Sequence, residues 1–114
     1  MNPERTRTSR HSARSTELIT REAAAFIARE SGGQSLITVT RVILDKHGDR
    51  AHILVSVFPT EAGRSAVAFL SRLGGEFRTH LATHAKLHPL PIVDFALDGG
   101  EQNRQHLDEF TKKL

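Results

Sequence analysis

One long helical pattern in this chain is broken by two consecutive glycines, in the run Arg72-Leu73-Gly74-Gly75-Glu76-Phe77-Arg78. Two strand-like stretches precede the pattern and a third follows it. A glycine inside a helix costs about 1 kcal/mol relative to alanine. A pair is tolerated where the backbone must bend or be approached closely. The pattern therefore reads as two helices meeting at a bend. Arginines flank the bend, and the second helix opens on bare amides, a combination suited to a phosphate backbone. The plainer alternative is that the glycines only let two helices pack at an angle and the cations form a solvated face.

The flanking segments set the architecture. Ile19, Ala23, Phe26 and Ile27 recur at helical spacing, which predicts a helix from about Ser15 to Ser31, ended by a left-handed residue in Gly32-Gly33. Leu36 to Leu44 reads as a strand. Ile37 and Val39 share one parity and Val42 and Leu44 the other, so a bulge is expected between them. After a turn at Asp45-Lys46-His47-Gly48-Asp49, Arg50 to Phe58 forms the antiparallel partner, with Ala51, Ile53, Val55 and Val57 on one face. Thr60 is placed to cap the next helix, whose stripe is Ala66, Val67, Phe69, Leu70 and Leu73. Beyond the glycines, Phe77, Leu81 and Ala85 continue a stripe to about Leu87, and His88-Pro89-Leu90-Pro91 stops it. Ile92 to Leu97 is a third strand, which the long crossover returns parallel to a neighbour. Asp98-Gly99-Gly100 turns into a short final helix over about Glu101 to Lys113, with Asn103, Leu107, Phe110 and Leu114 on one face. The order predicts an α+β layer fold, helices on one face of a three-stranded sheet.

At 114 residues the chain supports one domain, read as a basic flexible tail over 1–13 and a folded domain over 14–114. With no cysteine, disulfides, thiolate metal sites and thiol catalysis are excluded. The net charge of +3 favours an anionic partner. No apolar run approaches the roughly 20 residues that span a bilayer, and the N-terminus lacks the apolar core of a secretory signal. The basic, Ser/Thr-rich start also matches a mitochondrial transit peptide in composition; the expectation is a basic, partly disordered tail running into the first helix. Of six phenylalanines, with no Tyr or Trp, only Phe58 and Phe95 fall on strands, and both are expected to face a core. A sheet that stacks bases on exposed aromatics is thereby disfavoured.

Arg78 and Lys86, eight residues apart, are expected on one exposed helix face. Arg5, Arg7, Arg10 and Arg14 offer further phosphate contacts through counterion release. His80, His84 and His88 repeat every fourth residue, a spacing that can chelate zinc, yet no glutamate follows His80 in the metalloprotease pattern. They read instead as a polar helix face, with a small metal-dependent enzyme as the alternative. Arg41 and His52 are candidates for a sheet edge facing RNA, or for the polar side of a half-buried hairpin. No nucleophile elbow, Walker loop or dinucleotide fingerprint appears.

An ordered series of segments resembles the ribosome-binding factor A family: Glu22 to Glu30, Ile37 to Val42, Ala51 to Phe58, Ala68 to Arg72, Gly75 to Arg78, and Lys86-Leu87-His88 with Pro91. The likeness extends from about Arg14 to the C-terminus. It implies a type II KH-like fold in which an Ala-x-Gly kink between two helices replaces the Gly-x-x-Gly loop. Leu73-Gly74-Gly75 occupies that place here, with leucine for the alanine and Gly75 as the kink glycine. A basic Arg-Leu-Arg element of the family is Lys86-Leu87-His88 in this chain. The resemblance further implies a non-enzymatic, monomeric, cytoplasmic assembly factor that assists late maturation of the small ribosomal subunit. Its partners would be that subunit and its ribosomal RNA, with no cofactor, metal, membrane or small-molecule substrate. The expected RNA-binding residues are Arg72, Gly74, Gly75, Arg78, Lys86, Arg14 and Arg10. A KH-like protein acting on other RNA is the nearest alternative.

Overall fold

The computed structural model describes residues 3–32 and 35–99, with side chains from residue 13 onward. The expected final helix over Glu101 to Lys113, the side chains of Arg5, Arg7 and Arg10, and Gly33 lie outside the described residues.

Helix α1 spans Pro3–Glu30, strands β1 and β2 span Leu36–Leu44 and Arg50–Phe58, helices α2 and α3 span Gly63–Arg72 and Gly74–His84, and β3 spans Ile92–Leu97. Helix α1 thus begins well before Ser15, and Gly32 is not left-handed. The stripe Ile19, Ala23, Phe26 and Ile27 is buried as its spacing predicts. The sheet order is β1-β2-β3. Strand β1 pairs antiparallel with β2 and slips register between Val39 and Arg41, so Thr40 is the extra residue that switches the parity of the apolar positions. Its hydroxyl donates to Asp98 Oδ2 at 2.7 Å. Strand β3 returns parallel, from Arg50↔Ile92 to Val55↔Leu97.

The hairpin turn is held by one carboxylate. Asp45 Oδ1 accepts the amides of Asp49 at 2.6 Å and Arg50 at 3.1 Å. Gly48 takes φ +75°, which glycine adopts without a Cβ penalty.

All three helices cover the sheet face formed by Val42, Ala51, Ile53, Val55 and Phe95. Three expectations fail here. Thr60 does not cap α2: it opens a 3-10 turn over Thr60–Ala62, and α2 starts at Gly63, capped by Ala62 with no side-chain bond. The turn brings Gly63 so near β3 that an added Cβ would lie 3.1 Å from Leu97 Cδ1. Phe58 does not face the core; it is 73% exposed, opposite the exposed Leu36, while Phe95 is buried. His52 is not at an edge. Strand β2 is central, and His52, 1% exposed, donates from Nδ1 to the Asp94 carboxylate at 2.8 Å across the β2–β3 ladder. Arg41 is exposed on β1, which is an edge strand.

Candidate nucleic-acid interface

The bend falls on Leu73, the single residue between α2 and α3. Its φ of −92° and ψ of 3° lie in the bridge region, outside both helices. The Leu73 amide donates to the Leu70 carbonyl at 3.0 Å, tightening the last turn of α2. The α-helical ladder restarts when Phe77 N–H donates to the Leu73 carbonyl at 2.9 Å. Amides ahead of Phe77 belong to the first turn of α3, where helices lack internal acceptors. The Leu73 side chain packs against the core, which is how a leucine is accommodated at this position.

Neither glycine is required by the backbone here. Neither has a positive φ. A Cβ on Gly74 would be 3.9 Å from the Val93 carbonyl oxygen, and one on Gly75 would meet nothing within 4 Å. What holds the bend is packing on its far side. Phe77 is fully buried, with its ring centroid 5.1 Å from Phe26 on α1 and 6.0 Å from Phe95 on β3.

The path of α2 places the bend. It begins beside Leu97, and Gly74, the first residue of α3, lies beside Val93, which pairs with Ala51 at the start of β2. The bend therefore shares one end of the sheet with the Asp45–Arg50 turn and with residues 85–91, which lead into β3. Three segments at that end carry exposed cations: Lys46 in the turn, Arg72 and Arg78 around the bend, and Lys86 after α3. The signal for Lys46 was present in the sequence only as a turn; the parallel return of β3 brings the turn to this end.

The predicted site residues fall as follows. Arg72 is exposed at the end of α2 and has no ion pair among the described residues. Arg78 is not simply solvated: its Nε donates to the Pro91 carbonyl and a terminal nitrogen to the Leu90 carbonyl, both at 3.1 Å. Two of five donors are thus used, and the guanidinium is fixed in orientation with donors left over. Lys86 does not share a helix face with Arg78. The helix ends at His84, and Lys86 adopts φ 47°, a left-handed conformation uncommon for a side chain with a Cβ. Arg14 is exposed on α1, remote in sequence from the bend. Glu76, in the first turn of α3, is exposed and is the acidic group within the bend itself.

The histidine repeat is not one polar face. His80 is largely buried; its Nε2–H donates to Glu22 Oε2 at 2.9 Å, and its ring stacks on His84 at 4.1 Å. His88 lies beyond α3. Among the described residues no group of three or more His, Cys, Asp or Glu could hold a metal ion.

Comparison with known proteins converges on one family. The family model described as Ribosome-binding factor A matches residues 11–111. A ribosome-binding factor A of Pseudothermotoga lettingae is 30% identical over 80 residues, covering 69% of this chain and 67% of that protein. One from Fervidobacterium nodosum is 35% identical over 68 residues, 59% of this chain and 54% of that protein. The crystal structure of ribosome-binding factor A from Thermus thermophilus superimposes with a TM-score of 0.66 at 29% identity, over 75% of this chain and 93% of that one. The solution structure of a putative ribosome binding factor A from Thermotoga maritima gives 0.64 at 27% identity, over 75% and 86%. With the α+β, KH-like arrangement and the helix bend both in place, this chain belongs to the ribosome-binding factor A family.

Proposed function

We propose that the protein is a non-enzymatic ribosome assembly factor that binds the free small subunit and assists late maturation of its ribosomal RNA. The observation that carries this reading is the bend: Arg72 exposed and without an ion pair among the described residues, and Arg78 held in orientation, around a helix start whose Gly75 is open to solvent, with Lys86 exposed just beyond α3. Such a surface suits a phosphate backbone. Its action is positional. Preference for one RNA arrangement by 1–3 kcal/mol shifts a population by about 5–150-fold without any bond being made or broken. The basic segment over 1–13, including Arg10, and Arg14 on α1 add counterion-release contacts. The protein acts as a monomer in the cytoplasm, without cofactor.

Co-sedimentation tests this reading. The protein is expected to travel with free small subunits and to be absent from joined 70S particles, and raising salt is expected to release it. Association with other RNA and not with the subunit would defeat it.

A glycine substitution separates the external role of the bend from its internal one. Because an added Cβ at Gly75 meets nothing inside the protein, Gly75→Ala is expected to stabilise the fold by roughly 0.5–1 kcal/mol. The same methyl stands on the surface offered to RNA, so subunit affinity is expected to fall. Thermal melting and sedimentation read the two effects; a stabilised protein with undiminished binding would remove Gly75 from the interface.

A further inference from the structure

A second feature at the same end of the sheet is absent from the bend altogether. A cavity of about 170 Å³ opens between α1, the hairpin turn and the segment leading into β3. Its walls are Ile19, Leu44, Leu87, Pro89 and Pro91. The turn closes one side: Gly48, left-handed, stands so near Pro89 that a Cβ would lie 3.8 Å from Pro89 Cδ. One polar group enters the wall, Ser15, which is buried on α1. At the mouth stand Lys46, His47 and His88, all exposed, and no carboxylate lines the cavity.

Size and chemistry together narrow the occupant. An apolar cavity of about 150 Å³ holds one benzene ring, so the space of about 170 Å³ here matches a single flat ring, which a pyrimidine supplies with no second ring left outside. The Ser15 hydroxyl can both donate and accept toward a ring edge. Imidazoles are stacking partners for an unpaired base. Lys46, an exposed cation on the lining, offers a partner to a backbone phosphate attached to that base, and no carboxylate is among the lining residues.

We propose that this cavity seats one unstacked pyrimidine of single-stranded RNA, with an adjoining phosphate at Lys46. The inference rests on the RNA-binding reading above and deepens it by naming a base-selective site apart from the bend.

The test uses the full chain, isotope-labelled, titrated with three hexanucleotides: hexauridylate, hexaadenylate and an abasic strand with the same phosphates. Hexauridylate is expected to bind at least about tenfold more tightly than the abasic strand and to move the amide signals of Ser15, Gly48 and Leu87. Hexaadenylate is expected to match the abasic strand at those signals. Leu44→Phe, which puts a ring into the cavity, is expected to abolish the uridylate preference; Ser15→Ala, a milder change, is expected to weaken it. Equal affinity for uridylate and abasic strands, a preference for adenylate, or shifts confined to Arg72–Gly75 would each overturn the site, whatever the variants do. If the cavity shows no preference while the protein still sediments with free small subunits, only the cavity inference falls. If the protein fails to sediment, the assembly-factor reading falls on its own test.

Discussion

Phe77→Ala is expected to remove roughly 3–5 kcal/mol of stability, the usual cost of emptying a buried phenylalanine site. Domains of this kind have only about 5–15 kcal/mol in total. The variant should therefore be unfolded in part at physiological temperature, and its urea midpoint should fall sharply with little change in slope. The size follows from position. Phe77 is the first buried residue after the bend, and it touches Phe26 on α1 and Phe95 on β3 at once. A loss under about 1 kcal/mol would show that α3 relaxes inward, and that the bend is set by something other than this contact.

Reversing two cations should have the largest effect on binding. Arg72→Glu combined with Lys86→Glu is expected to lower affinity for the free small subunit on the order of a hundredfold at low salt, and to reduce the slope of log affinity against log salt by about two. Stability should change by less than about 0.5 kcal/mol for each substitution. Both residues are exposed, and neither has an ion pair among the described residues. Arg78→Glu is a poorer probe. It strips the donor from the Leu90 and Pro91 carbonyls, so about 1 kcal/mol of stability per bond is expected to go with it. An unaltered salt slope in the double variant would place the RNA-facing surface elsewhere.

Much of this architecture was legible in the residues. The α1 stripe could be read because a helix that buries one face repeats its apolar positions at fixed spacing. The bulge at Thr40 could be read because a single extra residue flips parity, and parity is visible from sequence. What stayed hidden depends on neighbours distant in the chain. Phe58 belongs by alternation to the face opposite Val57, and only the position of the helices decides which face is covered. His52 looked like the polar side of a hairpin until β3 arrived beside it with Asp94. His80 reads as solvent-facing in a one-helix view, yet Glu22 from α1 meets it. The double role of Arg78 was equally invisible, since its carbonyl partners precede β3 and come near only through the fold. At the bend the run of residues marked the place correctly but misassigned the cause: the glycines are bystanders to a turn made at Leu73.

That last point bears on how such a protein can be tuned. An elbow whose angle is fixed by aromatic packing beneath it, and not by the conformational demands of the residues on its crest, leaves those crest residues free to vary. Shape and recognition are then carried by different atoms. The outer surface can be rewritten for a new RNA contour, one side chain at a time, while the frame under it keeps the same direction.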